Sequence, residues 1–460
     1  MSCALLQRGL AAAGKAYSQL IAALVLSLLV VQLSRADDWP QWLGPQRDAI
    51  WRETGIIDKF PAGGPPIRWR VPIGGGYTGP AVAEGRVYVM DRQLAKKEDT
   101  SAKPQPAGKK APGIPGSERV LCLSAADGKL LWKHEYDCPY TVQYPVGPRT
   151  TPVVHEHKVY TLGTEGNLFC LDAEKGTVLW SHDFKTDYGA KTQIWGFSAN
   201  PLLDGQKLIC MVGGKDSTVV AFDKDTGKEI WHALSARYVG YCSPAIYEAA
   251  GKRQLIVWHG EAIAGLDPET GKEYWSQPFE PHMAMSIAMP RKLGDYLFFT
   301  STFAKSIMLR LGTDSPSATV AWRGSPKTSF DSVFATPFME DGYIYGTSSD
   351  GDLCCVEAAT GKRLWATFQP NGGKKIRSAD LFLVKNGDRF FLANEQGDLI
   401  IARLSPKGYE EISRAHLREP TSTAFGRKVV WSHPAFADRC VFLRDDKMIL
   451  CASLAASGGD

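Results

Sequence analysis

The sequence predicts an all-β chain folded as an eight-bladed β-propeller of four-stranded antiparallel blades. Three observations predict it. Trp132, Trp180, Trp231, Trp275, Trp322 and Trp365 recur every 43 to 51 residues. Gly128, Gly176, Gly227, Gly271 and Gly361 each stand four residues ahead of one of these Trp. Independently, Pro80, Pro152, Pro201, Pro290, Pro337 and Pro434 each stand eight residues ahead of a large apolar residue: Tyr88, Tyr160, Ile209, Phe298, Tyr345 and Phe442. A fixed period of this size marks one supersecondary unit repeated in space. Four short antiparallel strands in roughly 47 residues make one propeller blade.

In chain order, residues 1–36 are expected to be a secretory signal. Arg8 and Lys15 precede an apolar run from Leu20 to Leu33, and Ser34-Arg35-Ala36 places small residues at the cleavage positions. The run is short for a membrane span. The expectation is an exported protein of the periplasm or cell envelope, without stable membrane insertion after cleavage. Residues 37–66 form a Trp-rich leader whose Trp39, Trp42 and Trp51 are expected to clasp one face of the ring. The propeller follows over 67–460.

Ile67-Arg68-Trp69-Arg70-Val71 carries a Trp in the repeat position, while the last unit, ending near Leu450-Cys451, has room for three strands. The N-terminal strand is therefore expected to complete the C-terminal blade, which hides both sheet edges. Units begin near Gly79, Gly147, Phe197, Tyr241, Ser286, Val333, Ser378 and Trp431. Most open with Pro, which lacks a ladder donor and suits a strand start. Pro244 fits if 248–253 holds a longer turn. The third strand ends in a turn such as Asp223-Lys224-Asp225-Thr226-Gly227-Lys228, where Asp accepts from backbone N–H groups and Gly supplies φ > 0. The seventh unit is degenerate, with Ile412 in place of Trp and no Pro. Residues 94–118 hold two Lys-Lys pairs and four prolines, and are expected to be a flexible insertion in the first blade.

Composition is that of a globular chain: 460 residues, 44% apolar and 22% charged. Of the net charge of +4, Arg8, Lys15 and Arg35 supply three, so no nucleic-acid partner is expected. Ten cysteines suggest disulfides in an exported protein. However, Cys122, Cys170, Cys355 and Cys451 share one column with Ala221 and Gly265, where a small buried side chain is needed. Equivalent positions in different blades lie too far apart to bond. Mostly free, buried thiols are expected, with Cys138, Cys210, Cys242 and Cys440 outside the column.

The Gly-Lys-x-x-Trp unit resembles the repeat of pyrroloquinoline quinone (PQQ) enzymes and of BamB-like outer-membrane assembly propellers. The resemblance covers the chain from Ile67 onward and implies that Trp69, Trp132, Trp180, Trp231, Trp275, Trp322 and Trp365 are structural, each locking one blade to the next. Asp38-Trp39-Pro40-Gln41-Trp42-Leu43-Gly44-Pro45 is similar to the leader of secreted PQQ-like repeat proteins of planctomycete-type bacteria. BamB is a lipoprotein, whereas here no Cys follows the apolar run.

No motif demands chemistry. Cys354-Cys355 matches the vicinal pair of PQQ alcohol dehydrogenases by letter, but it lies within a strand that sends adjacent side chains to opposite faces. Gly74-x-Gly76-x-x-Gly79 precedes a strand rather than the helix that dinucleotide binding needs. Asp223-x-Asp225 and Asp267-x-Glu269 hint at calcium but coincide with the repeat turn. The better lead is the set of non-repeating residues entering the inner strands, which should gather at one mouth of the central channel: Arg149, Trp195, Tyr241, His282, Asp331, Arg377 and Trp431, with Gln193, Tyr238 and His433. Aromatic rings with a few charges suit a small planar ligand or a peptide. The expected function is a non-catalytic envelope scaffold, BamB-like, binding an envelope protein or peptide without cofactor or metal. The alternatives are a quinoprotein oxidoreductase using PQQ and Ca²⁺, or a carbohydrate-binding surface module.

Overall fold

The computed structural model describes residues 37–95, 113–303, 305–325 and 331–456. The expected signal lies outside the described residues, as does most of the expected insertion. The insertion's ends are strand: Arg86–Leu94 pairs with Gly116–Ser124 over nine residue pairs.

Among the described residues, eight four-stranded antiparallel sheets stand as blades in a propeller ring, with one extra two-stranded hairpin. Within blades 1 to 7 the strands follow sequence order from the axis outward. Blades 1 to 7 span 81–137, 153–183, 202–233, 245–278, 291–323, 338–367 and 381–416. Blade 8 is closed as expected: Ile67–Pro72 pairs with Met448–Ser453, outside Cys440–Arg444 and Ala435–Ala437. The longer turn expected at 248–253 is not there: Glu248 pairs with Arg253 and Ala249 with Lys252, so the blade 4 strands run further and only Ala250 and Gly251 turn, because the chain stays in ladder register to the tip.

The repeat has a single physical cause. Each indole lies over the turn glycine of the next blade and donates Nε1–H to a carbonyl of that turn. Trp69 donates to Ala125 at 2.8 Å, Trp132 to Ala173 at 2.9 Å, Trp180 to Lys224 at 3.0 Å and Trp322 to Ala358 at 2.8 Å. The glycine is obligatory twice over. Gly176 has φ +71°, and a Cβ there would lie 2.4 Å from Trp132. On its other side the Trp faces a small column residue in every blade but the fifth, where Met308 pairs with Trp322. Cys122 pairs with Trp132, Cys170 with Trp180, Ala221 with Trp231, Gly265 with Trp275 and Cys355 with Trp365. A Cβ on Gly265 would approach Trp275 to 2.3 Å. The thiols are thus small side chains under indoles, and all nine described cysteines are free and buried.

Three junctions depart from the rule. Trp365 donates to Ser405 O of the blade 7 turn at 2.8 Å but lies on no glycine, since a Cβ on Gly408 would meet nothing within 4 Å. The blade 5 turn lacks the Asp-Thr-Gly-Lys pattern, and Trp275 donates instead to Gln254 Oε1 within its own blade, at 2.7 Å. Where Ile412 replaces Trp, the leader fills the space: Ile57 and Ile412 pack on the same core cluster, and Phe60 N–H bonds Ser413 Oγ at 3.1 Å.

Inner strands are stitched blade to blade just ahead of their first residue. Thr151 N–H donates to Asn200 Oδ1 (2.7 Å), Asn200 N–H to Ser243 Oγ (2.9 Å), Met289 N–H to Thr336 Oγ1 (3.1 Å) and Ala335 N–H to Asp380 Oδ1 (3.0 Å). This girdle leaves an axial channel, and the leader crosses one face of it. Trp39 pairs with Val82 of blade 1, Pro40 O accepts from Val154 of blade 2, and Ile50 bridges Lys385 of blade 7. Trp39, Trp42 and Trp51 are all buried.

Candidate functional site

On the face away from the leader crossing, the channel opens into a cup of about 580 Å³, within the range of small-molecule and side-chain sites. Its walls are the segments that enter the inner strands, because inner strands begin there and their first residues face the axis. Of the sequence candidates, Arg149, Trp195, Tyr241, His282, Arg377 and Trp431 line it, and His433 joins them. Asp331, Gln193 and Tyr238 do not. Asp331 is buried behind the wall and accepts from Ser349 Oγ at 2.6 Å, so it holds a lining residue rather than facing the cup. Gln193 exchanges bonds with the Gly240 backbone.

Trp431 anchors the aromatic wall. Phe334 lies 4.7 Å from its ring, Phe425 5.9 Å, Tyr144 6.0 Å and Tyr77 6.2 Å. Its Nε1–H bonds Glu395, itself clamped by Arg427 through Nε at 2.7 Å and Nη2 at 3.0 Å. Trp195 and Tyr241 meet edge to face at 5.5 Å on the facing wall. Burial holds the phenols of Tyr77 and Tyr241 up near about 12, so both are neutral donors.

The cations of the cup are not equivalent. Arg149 gives its N–H groups to the carbonyls of Gly147, Gln143 and Tyr144 at 2.8–2.9 Å, and burial lowers its pKa. It is a strut. Arg377 is exposed at the cup. Asp350 is paired with Lys375 at 2.7 Å. Asp380 is 1% exposed yet lines the cup, and burial first, then Glu395, raises its carboxyl well above the usual range.

The rim is what sequence reasoning missed. Met283, Phe303 and Phe425 line the cup and are 54%, 55% and 48% exposed. All three have positive φ, at 50°, 57° and 49°. Tyr144 and Ser378 of the same cup do as well, at 51° and 55°. A left-handed conformation costs a non-glycine residue roughly 1–2 kcal/mol, and such strain gathers at functional sites. Phe425 sits with Gly426 at the tip of the extra hairpin, Ser422–Ala424 with Arg427–Val429, in a two-residue turn with φ > 0 at both positions. That turn favours Asn-Gly. Here it presents an aromatic ring to solvent instead.

Trp42 is the second addition. It reaches along the axis from the leader to line the cup and meets His433 edge to face at 5.6 Å. The leader is fastened beneath it by two arginines. Arg47 donates to Pro201 O and Pro244 O at 2.9 and 3.2 Å, while Arg291 donates to the Arg47 and Asp48 carbonyls and to Pro337 O.

Among the described residues, no group of three or more His, Cys, Asp or Glu side chains is placed to hold a metal ion. Cys354 and Cys355 are buried within their strand, and Cys354 Sγ lies 3.1 Å from Asp352 Oδ2. Neither lines the cup. Asp223 Oδ1 caps its turn by accepting from Asp225 and Thr226 N–H groups. Among the described residues, no helix is long and apolar enough to cross a membrane.

Comparison with known proteins adds a family and a fold. The family model described as outer membrane protein assembly factor BamB matches residues 116–295 and 261–459. The structure of BamB from Moraxella catarrhalis is similar with a TM-score of 0.52 and 17% identity, over 81% of this chain and 100% of that one. A quinohemoprotein alcohol dehydrogenase from Comamonas testosteroni gives a TM-score of 0.59 and 13% identity, over 92% of this chain and 81% of that one. These are likenesses of fold. A quinoprotein ethanol dehydrogenase of Pseudomonas putida is 33% identical over 85 residues, which is 15% of this chain and 14% of the enzyme.

Proposed function

Because this chain belongs to the family of the outer membrane protein assembly factor BamB, we propose that it is an exported docking propeller of the cell envelope. Its cup receives a protruding peptide segment of an envelope protein, without catalysis. One observation carries this. Met283, Phe303 and Phe425 are held half-exposed around one aromatic opening. Exposed apolar groups gathered on one surface mark a protein contact.

Oxidation through PQQ and calcium is the second reading, favoured by the 85-residue match to the ethanol dehydrogenase. The donor set fits it poorly. Asp350 is paired with Lys375, and Asp380 is buried with its carboxyl held toward the neutral form, which gives a divalent cation little to bind.

The test is selection of displayed random peptides on the full chain and on a Met283→Ser/Phe303→Ser/Phe425→Ser variant. We expect enrichment on the first and its loss on the second. Equal enrichment on both would reject the cup as the docking site. Dye-linked alcohol oxidation after adding PQQ and calcium would reject the non-catalytic reading.

A further inference from the structure

Two arginines, Arg149 and Arg377, and two acids, Asp350 and Asp380, line the cup. The acids contribute little charge. Asp350 is spent on Lys375 at 2.7 Å, and burial, then Glu395, holds the Asp380 carboxyl toward its neutral form. The arginines are not answered in the same way. Arg149 gives its N–H groups to the carbonyls of Gly147, Gln143 and Tyr144, which are neutral. Glu118, fully buried, attracts it from behind the wall, but the Tyr140 and Tyr136 hydroxyls already hold both oxygens of that carboxylate.

Arg377 is freer still. Its side chain is exposed, and none of the described residues bonds or pairs with it. Its backbone is nonetheless fixed on both sides. Ile376 N–H donates to Asp350 O at 3.0 Å and Ser378 N–H to Ser349 O at 2.7 Å, both in the turn between the second and third strands of blade 6. The cup thus presents an unspent guanidinium on held backbone, among walls of Trp431, Phe334 and Phe425. Apolar walls focus the field of such a charge. The group that complements a guanidinium fork is a carboxylate.

We infer that the docked segment is acidic as well as apolar. An Asp or Glu side chain of the segment seats its carboxylate on the Arg377 guanidinium, while neighbouring apolar side chains pack on Met283, Phe303 and Phe425. This deepens the docking reading and rests on it.

The test reads the composition of peptides selected from a random library whose C-termini are fused to the carrier, so that no free terminal carboxylate takes part. On the full chain, Asp and Glu should rise above their frequency in the unselected library, and Lys and Arg should fall below theirs. On Arg377→Gln the acid excess should vanish. The strongest binder, acetylated and amidated, is then titrated calorimetrically. Changing its acid to the matching amide should weaken binding to the unmodified chain about fivefold at low salt, the reach of a solvent-exposed pair. The same change should leave binding to Arg377→Gln unaltered. Thermal melting confirms that the variant folds. Enrichment without an acid excess would overturn the inference and leave docking intact. So would an acid excess of equal size on Arg377→Gln. Failure to enrich any peptide would overturn the docking reading together with the inference.

Discussion

Adding one methyl group at Gly176 should unfasten blade 1 from blade 2. In Gly176→Ala the new Cβ falls 2.4 Å from Trp132 Cε3 and 2.6 Å from Cδ2, on backbone at φ +71°. The neighbour is a ring plane rather than the end of a flexible chain, so the indole must shift. Shifting it stretches the 2.9 Å bond to Ala173 O. The left-handed backbone costs roughly 1–2 kcal/mol. The lost bond adds about 1 kcal/mol, and the imperfect repacking of a buried indole at least as much again. The sum is about 3–4 kcal/mol. Gly205→Ala is the control. Gly205 also has positive φ, at +56°, but a Cβ there meets nothing within 4 Å, so only the backbone cost applies. Urea unfolding followed by the chain's own Trp fluorescence measures both, with equal slopes required for the comparison. Gly176→Ala should lose about 2 kcal/mol more than Gly205→Ala. Losses equal within about 0.5 kcal/mol, the ordinary scatter of surface substitutions, would refute the indole-on-glycine latch.

Three further outcomes follow from the cup and its base. Phe425→Asn puts a turn-favouring residue at φ 49° beside Gly426 at φ 74°; it should leave stability unchanged or raise it by up to about 1 kcal/mol, while peptide affinity falls, as melting and titration together would show. His433 is driven down to about 3, first by burial and then by Arg418. The unfolded chain therefore takes up this proton near 6.5 and the folded one does not, so stability is lost as pH falls from about 6.5 toward about 3; melting between pH 7.5 and 5 should fall more steeply for the unmodified chain than for His433→Asn. Arg47→Ala strips donors from Pro201 O and Pro244 O, and buried acceptors left bare cost about 1–3 kcal/mol each; limited proteolysis should then cut within the leader far faster than in the unmodified chain.

The ring was legible because its repeats are contacts rather than habits. Gly128, Gly176 and Gly227 recur because an indole from the previous blade lies on each, and Cys122, Ala221 and Gly265 share a column because an indole lies there too. The closing strand was legible from one stray Trp69. The cup was legible in outline, since Arg149, Trp195, Tyr241, His282, Arg377 and Trp431 all come from segments leading into inner strands. Side-chain direction was not, and Asp331 faces into the wall. Period and spacing are also silent on backbone strain, so Met283, Phe303 and Phe425 passed unnoticed. The Phe425-Gly426 pair between Ser-Thr-Ala and Arg-Lys-Val was the one available hairpin signal. Trp42 was expected to clasp the ring, but its second role as the cup's floor depends on how far the leader enters the axis. Asp380 could have been found by aligning it with Asn200, Ser243 and Thr336, where it alone is a carboxyl.

The most direct measurement is a crystal structure of the full chain with a display-selected peptide. Our account predicts peptide density crossing the rim between Met283, Phe303 and Phe425 and entering the cup. A peptide lying along an outer blade edge, with the cup left to solvent, would contradict it.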